Sequence, residues 1–224
     1  MLPIKLIAFD LDGTLVDSAP DLALAINAML VDLGREPQTE KTIRHWIGNG
    51  APILVHRALT QEKNGRADTG LFGRAHSLFI KHYHACLNEK SQLYPEVRTT
   101  LQTLQQAGFL LACITNKPAQ FTEPFLDELG IASFFSYIAS GDSFEFKKPH
   151  PMPLLETAKF FKVAAAESVM VGDSINDIQA AKKADFYSVC VDYGYSAEHD
   201  VYSLGAEKVI SKLSELLKIV QKVA

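Results

Sequence analysis

Short apolar runs alternate with amphipathic segments along most of this chain of 224 residues. The runs contain few polar positions, which is typical of strands buried on both faces of a parallel sheet. The segments between them carry apolar residues at helical spacing, and several end at a glycine. This alternation implies right-handed crossovers and an α/β fold, in which helices cover both faces of a doubly wound, mainly parallel sheet. Strands are predicted at 4–9, 109–114, 137–139, 168–171, 188–191 and, as an edge strand, 208–210, and helices at 98–107, 119–129, 151–161, 175–184 and from about 213 onward.

A block of helical patterns interrupts this alternation directly after the first strand. Between residues 18 and 91 the apolar positions recur at helical spacing, and no convincing strand pattern occurs. Gly34 ends the first of these helices, and a turn rich in glycine at 48–52 separates two shorter ones. We therefore predict a helical cap domain at residues 18–91, inserted into an α/β core domain of residues 1–17 and 92–224.

Composition and charge are those of an ordinary globular protein, and they argue against several classes of function. Hydrophobic residues make up 47% of the chain and charged residues 21%, with a formal net charge of −4. This balance gives no electrostatic basis for binding nucleic acid or an anionic membrane. We expect no membrane span and no signal peptide. The three cysteines are widely spaced beside apolar residues, which favours reduced packing thiols in a cytoplasmic protein.

Three of the predicted strands end directly in polar side chains. In doubly wound sheets, ligands bind outside the carboxyl ends of the strands, so we expect these side chains to converge on one crevice. Each ending taken alone is equally typical of an ordinary turn or helix cap. The polar endings are Asp10 and Asp12 after the first strand, Thr115 and Asn116 after the second, and Asp173 and Ser174 after the fourth.

These side chains favour phosphoryl chemistry at a metal site. Ionised carboxylates repel one another unless a cation lies between them, and oxygen ligands of this kind suit Mg²⁺. Asp10 would then act as a nucleophile. The Thr115 hydroxyl, nearby backbone N–H groups and either Lys147 or Lys148 would hold phosphate oxygens. Asp177 would cap a helix, orient the metal ligands, or do both.

Together these motifs resemble those of the haloacid dehalogenase superfamily of aspartate-nucleophile hydrolases, in the branch whose helical cap follows the first strand. The resemblance extends over essentially the whole chain and includes all four family motifs in order. It also distinguishes between the two lysines, because the family lysine directly precedes a proline. The four motifs are Asp10-Leu11-Asp12-Gly13-Thr14, Thr115-Asn116, Lys148-Pro149 and Gly172-Asp173-Ser174-Ile175-Asn176-Asp177.

The resemblance implies a phosphomonoester hydrolase that works through an aspartyl-phosphate. By that resemblance, Asp10 attacks phosphorus, and Asp12 protonates the leaving oxygen and then activates the hydrolytic water. The family's Mg²⁺ is bound by the Asp10 and Asp173 carboxylates and by the backbone carbonyl of Asp12. The further implied roles are catalysis for Lys148, phosphate binding for Thr115, Asn116 and Lys148, and support of the metal ligands for Thr14, Ser174 and Asp177.

Within the superfamily, the cap and the later motifs resemble those of bacterial phosphoglycolate phosphatases. This resemblance implies 2-phosphoglycolate as the substrate, with glycolate and phosphate as the products. In the cap, the Gly48-Asn49-Gly50 turn would present N–H groups to the substrate carboxylate, with Arg44 or Arg57 as a cationic partner; a simple helix-breaking turn with solvated arginines is the alternative. The stretches that carry this resemblance are 46–51, 115–118, 147–151, 172–174 and 193–195.

Other functions remain compatible with the same motifs. A phosphatase for a sugar phosphate, a nucleotide or pyrophosphate would share the catalytic residues and differ in the cap. A phosphomutase similar to β-phosphoglucomutase would use both aspartates but protect its phosphoenzyme from water. Asp12 argues against dehalogenation, because a halide leaves without a proton, and the intact motifs argue against a non-catalytic binding module. We expect a small phosphate ester as the partner, no nucleic acid or membrane partner, and a monomer or homodimer.

Overall fold

The computed structural model describes residues 2–195 and 201–222, and the chain divides into two units. The first unit comprises residues 1–17 and 93–224, and the second comprises residues 18–92. The strands are β1 (Leu2–Ile4), β2 (Leu6–Phe9), β3 (Val16–Asp17), β4 (Gln92–Leu93), β5 (Leu110–Ile114), β6 (Tyr137–Ala139), β7 (Ser168–Gly172), β8 (Tyr187–Val191), β9 (Lys208–Ile210) and β10 (Val220–Lys222). The helices are α1 (Ala19–Asp32), α2 (Glu40–Arg44), α3 (Ala51–Thr60), α4 (Thr69–Ala85), α5 (Val97–Gln106), α6 (Ala119–Glu128), α7 (Met152–Phe161), α8 (Ile175–Lys183) and α9 (Leu216–Ile219).

A parallel sheet is the central element of the first unit. Among the described residues it has six strands in the order β6-β5-β2-β7-β8-β9, so β2 lies in the interior and β9 at an edge. Every residue of β2 is fully buried, which explains why this strand lacks an alternation of polar and apolar positions. Helix α6 connects β5 to its neighbour β6, and α8 connects β7 to its neighbour β8. The parallel sheet with its flanking helices confirms the predicted fold class.

The start of the chain differs from the predicted strand at 4–9. The strand divides at Lys5, whose backbone N–H donates to the carbonyl of Glu167 at 2.8 Å and whose ammonium lies 3.3 Å from the carboxylate of that residue. Before Lys5, β1 pairs in parallel with β10, whereas β2 pairs with β5 and β7. The apolar residues on the two sides of Lys5 therefore belong to two different sheets.

The end of the chain also differs, because the last helix, predicted from about residue 213, ends at Ile219 and a strand follows it. A single 3₁₀ turn at Leu213–Glu215 is followed by α9, which has only four residues, and then by β10. The buried residues of this region, Leu213, Leu216 and Val220, have helical spacing and produced the misleading pattern. Pairing with β1 instead gives the backbone of β10 its hydrogen-bond partners.

The second unit, all of whose residues are described, consists largely of α1–α4. Apolar side chains of α1 and α4 form its interior, and the stacked rings of Phe79 and Tyr83 lie 5.5 Å apart. Asp21, in the first turn of α1, is fully buried and accepts hydrogen bonds from the N–H groups of Lys90 and Ser91 at 2.7 and 3.0 Å. This carboxylate therefore ties the start of the unit to its end.

The three cysteines are reduced, as their spacing in the sequence predicted. All three cysteines are free thiols, and burial raises the pKa of Cys113 and Cys190, which lie in β5 and β8. Both therefore act as apolar packing residues.

In the described part of the chain, every helix is too short or too polar to reach across a bilayer.

Candidate active site

The carboxyl ends of β2, β5 and β7 place the predicted polar residues at one edge of the sheet. Phe9, the last residue of β2, is paired with Cys113 on one side and with Val171 on the other. Since the three strands are parallel and in this register, the residues that follow them emerge next to one another. The residues that emerge here are Asp10 after β2, Thr115 after β5 and Asp173 after β7.

Lys148 is buried among these strand ends. Its Nζ lies 2.9 Å from Oδ1 of Asp10 and 2.7 Å from Oδ1 of Asp177, and it donates to the carbonyl of Ile114 at 2.5 Å. Burial alone disfavours the ammonium, but the two carboxylates outweigh this cost and raise the pKa of Lys148. Lys148 is therefore a permanent positive charge that fixes the Asp10 carboxylate.

A cluster of buried carboxylates surrounds this lysine. Asp10, Asp173 and Asp177 each place one oxygen within 4.8 Å of the others, and none of them is more than 8% exposed. Burial raises the pKa of Asp10 to about 7, and burial together with repulsion from Asp177 and Asp10 raises the pKa of Asp173 well above its usual value. Three carboxyl groups thus lie beside one buried ammonium group. This all-oxygen donor set therefore fits a hard divalent cation.

Asp177 caps helix α8 and also contacts Lys148. Its Oδ2 accepts hydrogen bonds from the N–H and the hydroxyl of Ser174 at 3.0 and 2.6 Å, which forms a capping box at the start of α8. Its Oδ1 accepts from Lys148. A side chain on Gly172 would collide with the Asp177 carboxyl group, so β7 must end in glycine to let this carboxylate reach the cluster.

The loop after the nucleophile packs against Asp173. The Thr14 hydroxyl lies 3.4 Å from Oδ1 of Asp173, and the N–H of Tyr195 donates to Oδ2 at 2.8 Å. Gly13 has a φ of +87°, and a side chain there would also strike the Asp173 carboxylate. Gly13 thus allows both the turn and the close approach of this loop to Asp173.

The Asp12 side chain lies outside the carboxylate cluster and contacts a different lysine. Nζ of Lys117 lies 3.1 Å from Oδ1 and 3.4 Å from Oδ2 of Asp12, and the two side chains are only 3% and 13% exposed. The ammonium also lies 4.6 Å from the ring centroid of Phe125. Lys117 was absent from the predicted site residues, although its position as the third polar residue after β5 was a usable signal.

Thr115 and Asn116 link the end of β5 to the lysine segment. The Thr115 hydroxyl accepts the N–H of Lys117 at 3.2 Å, and the side chain of Thr115 is buried. Nδ2 of Asn116 donates to the carbonyl of Lys148 at 3.0 Å. Asn116 thus contacts the backbone of Lys148, and Thr115 orders the loop that carries Lys117. Phosphate binding by both residues stays a prediction.

The predicted cap residues lie in the second unit, and the structure describes their contacts within it. Arg57 is buried and donates to the carbonyl of Trp46 at 2.6 Å, to Oδ1 of Asn49 at 2.9 Å and to the carbonyl of Lys63 at 2.8 Å. Its guanidinium therefore holds the turn in which Gly48 and Gly50 have positive φ values. Arg44 instead pairs with Glu40 at 2.8 Å on the exposed side of α2.

Replacing Lys148 by methionine is expected to lower the free energy of unfolding by about 3–5 kcal/mol, because Asp10 and Asp177 would stay buried without their cation. Urea unfolding without added metal, in mildly alkaline buffer where Asp10 is ionised, measures the loss. The matched control is Lys147→Met, at the partly exposed neighbouring position, with an expected change below about 1 kcal/mol. Equal stabilities of the two variants would contradict this account of Lys148.

Comparison with known proteins gives a consistent result over the full length of the chain. Residues 7–191 match the family model of the haloacid dehalogenase-like hydrolases. A phosphoglycolate phosphatase of Nitrosospira multiformis is 43% identical over 221 residues, which cover 99% of this chain and 97% of that protein. A phosphoglycolate phosphatase of Colwellia psychrerythraea is 46% identical over 215 residues, which cover 95% of each chain.

A solved structure has the same architecture. The crystal structure of a predicted phosphoglycolate phosphatase from Haemophilus somnus superimposes with a TM-score of 0.92 at 37% sequence identity. The superposition covers 99% of this chain and 100% of the other. The similarity therefore includes the residues of both units.

Proposed function

The chain belongs to the haloacid dehalogenase-like hydrolases, as its four motifs predicted, and from this membership we propose that it hydrolyses 2-phosphoglycolate to glycolate and phosphate. The observation that carries the chemistry is the Asp10 carboxylate at the end of the central strand, held 2.9 Å from Lys148 within a buried acidic cluster. The names of relatives that match nearly the whole chain at 43–46% identity support the substrate.

In the proposed reaction, Asp10 is the nucleophile and Asp12 transfers the proton. An Asp10 oxygen forms a bond to phosphorus while the bond from phosphorus to the glycolate oxygen breaks, and Asp12 gives that oxygen its proton. Water then attacks phosphorus, Asp12 takes up a proton from the water, and the bond between Asp10 and phosphorus breaks. Lys148 holds Asp10 throughout, and Thr115 and Asn116 bind phosphate oxygens.

We propose Mg²⁺ as the cation, with ligands from the Asp10 and Asp173 carboxylates and the backbone carbonyl of Asp12. The all-oxygen cluster, in which three carboxyl groups lie beside one lysine, supports this choice. When bound, Mg²⁺ supplies positive charge that lets an anionic phosphoryl group approach a carboxylate. Asp177 lies in the same cluster and orients it through Lys148 and Ser174.

We further propose that residues 18–92 are the cap domain and that the Gly48-Asn49-Gly50 turn selects the leaving group. The support comes from Arg57, which uses its donors to hold this turn in one shape. Arg57 would thus act through the turn rather than as the cation that pairs with the substrate. The free cysteines support a reducing, cytoplasmic location, where the protein would act as a monomer or homodimer.

The substrate proposal is tested by measuring kcat/KM with Mg²⁺ for 2-phosphoglycolate and for the monophosphate of ethylene glycol, which carries a hydroxymethyl group in place of the carboxylate. We expect kcat/KM to be roughly 10- to 100-fold higher for 2-phosphoglycolate. A site built to bind a carboxylate discriminates against a substrate that lacks it. Sugar phosphates, nucleotides and pyrophosphate complete the panel. Equal rates with all of these esters would remove the substrate assignment and leave a general phosphatase.

A further inference from the structure

The segment Tyr193–Tyr195, just after β8, contacts a proposed metal ligand although it belongs to none of the four family motifs. β8 lies beside β7 in the sheet, so the residues that follow β8 pass next to Asp173. The backbone N–H of Tyr195 donates to Oδ2 of Asp173 at 2.8 Å. This bond fixes Oδ2 of the carboxylate, and Oδ1, which the Thr14 hydroxyl contacts at 3.4 Å, keeps a further lone pair for a cation.

Gly194 lets this segment lie against Asp173. A side chain at Gly194 would collide with Cβ and Oδ2 of Asp173 and with the carbonyl oxygen of Gly13. Gly194 is not among the residues with positive φ, so the constraint is space rather than backbone conformation. Gly13 is equally close to the Asp173 carboxylate. Asp173 is therefore confined between two glycines, and any larger residue would displace it.

The segment is itself anchored to the loop that follows the nucleophile. The Tyr193 hydroxyl donates to the carbonyl of Thr14 at 3.0 Å, and its ring lies 4.6 Å from that of Tyr94. Burial raises the pKa of Tyr193, so the hydroxyl keeps its proton and remains a donor. The Tyr195 hydroxyl lies 3.4 Å from Oδ1 of Asp17. These contacts fix the position from which the segment holds Asp173.

We propose that Tyr193–Tyr195 is a positioning element for the divalent cation, in which the Tyr195 N–H and the absence of a side chain at Gly194 set the Asp173 carboxylate. The inference rests on the metal site of the proposed function. It extends that site to residues that act through Asp173. Loss of such support typically weakens metal binding by about 10- to 100-fold.

The test is direct metal binding by the substrate-free full chain, measured by calorimetric titration with Mn²⁺ and Mg²⁺. Gly194→Ala is expected to raise the Kd about 10- to 100-fold. The matched control is Gly73→Ala in α4, where a side chain would meet nothing within 4 Å, and its Kd should equal that of the parent. Tyr195→Phe keeps the backbone N–H and loses only its hydroxyl, which lies 3.4 Å from Asp17, so its Kd should rise much less than that of Gly194→Ala.

Steady-state kinetics at varied metal concentration distinguishes a positioning role from damage to the fold. For Gly194→Ala, the metal concentration that gives half-maximal activity should rise by the same factor as the Kd, while kcat at saturating metal stays near the parent value. If Gly194→Ala fails to fold, Tyr193→Phe replaces it, with a smaller rise in Kd expected from the lost anchor to Thr14. A folded variant that binds metal with the parent's affinity would overturn the inference, as would a parent chain that binds no divalent cation.

Failure of the positioning role and failure of the proposed function would give different results. A parent chain that binds metal tightly but does not hydrolyse 2-phosphoglycolate would remove the substrate and leave the positioning role. Conversely, full activity together with unchanged metal affinity in Gly194→Ala would remove the positioning role and leave the substrate.

Discussion

Replacing Asp10 by asparagine is expected to reduce the turnover of 2-phosphoglycolate by roughly three to six orders of magnitude. The amide has the shape of the carboxylate but cannot attack phosphorus, and it also loses the charge that pairs with Lys148. Phosphate release at saturating Mg²⁺ and substrate measures the loss. The matched control is Asp68→Asn at the start of α4, where asparagine caps the helix as well as aspartate does.

The control should retain full turnover, and both variants should unfold cooperatively. The Asp10 carboxylate is costly to bury, as its raised pKa shows, so its neutral replacement does not by itself threaten the fold. Turnover by Asp10→Asn at more than a few per cent of the parent rate would contradict the nucleophile assignment.

Replacing Asp12 by asparagine is expected to lower kcat/KM for 2-phosphoglycolate by about 10²- to 10⁴-fold, because the leaving oxygen then departs without a proton. With p-nitrophenyl phosphate, the rate of the first step should fall by a smaller factor. Its leaving group, p-nitrophenolate, departs readily without a proton. Rapid-quench kinetics with both esters measures this difference. Since Asp12 is also proposed to activate the hydrolytic water, a burst of p-nitrophenol followed by slow turnover is expected.

Equal fractional losses with both esters would contradict a proton-transfer role for Asp12. They would instead indicate that the variant disturbs the site through Lys117, which lies 3.1 Å from Asp12. Lys117→Met tests that alternative, because it removes the ion pair and leaves the Asp12 carboxyl group in place.

The parts of the site that could be predicted from the sequence follow from local patterns. The apolar run before Asp10 predicts a buried strand, and parallel pairing then brings Asp10 and Asp173 to the same edge without knowledge of side-chain contacts. The Ser174–Asp177 capping box is equally local, since both residues lie within one helical turn.

Contacts between distant segments could not be predicted in this way. The Lys117–Asp12 ion pair joins residues 105 positions apart, so the position of Lys117 after β5 marks it as a candidate site residue, but no local pattern identifies Asp12 as its partner. The pairing of β1 with β10 also joins distant segments and could not be predicted. The spacing of Leu213 and Leu216 fits a helix as well as the turn that forms, so it does not indicate the strand that follows. Backbone donors such as the Tyr195 N–H leave no signature in the side-chain sequence.

The most direct test of the account is to trap the phosphoryl group on the enzyme. The chain would be mixed with 2-phosphoglycolate and Mg²⁺, quenched during turnover and treated with borohydride, which reduces an aspartyl-phosphate to homoserine, and its peptides would be mapped by mass spectrometry. The account predicts that Asp10 alone is converted, only with substrate, and not in Asp10→Asn. Conversion of another aspartate, or turnover without any conversion, would contradict it.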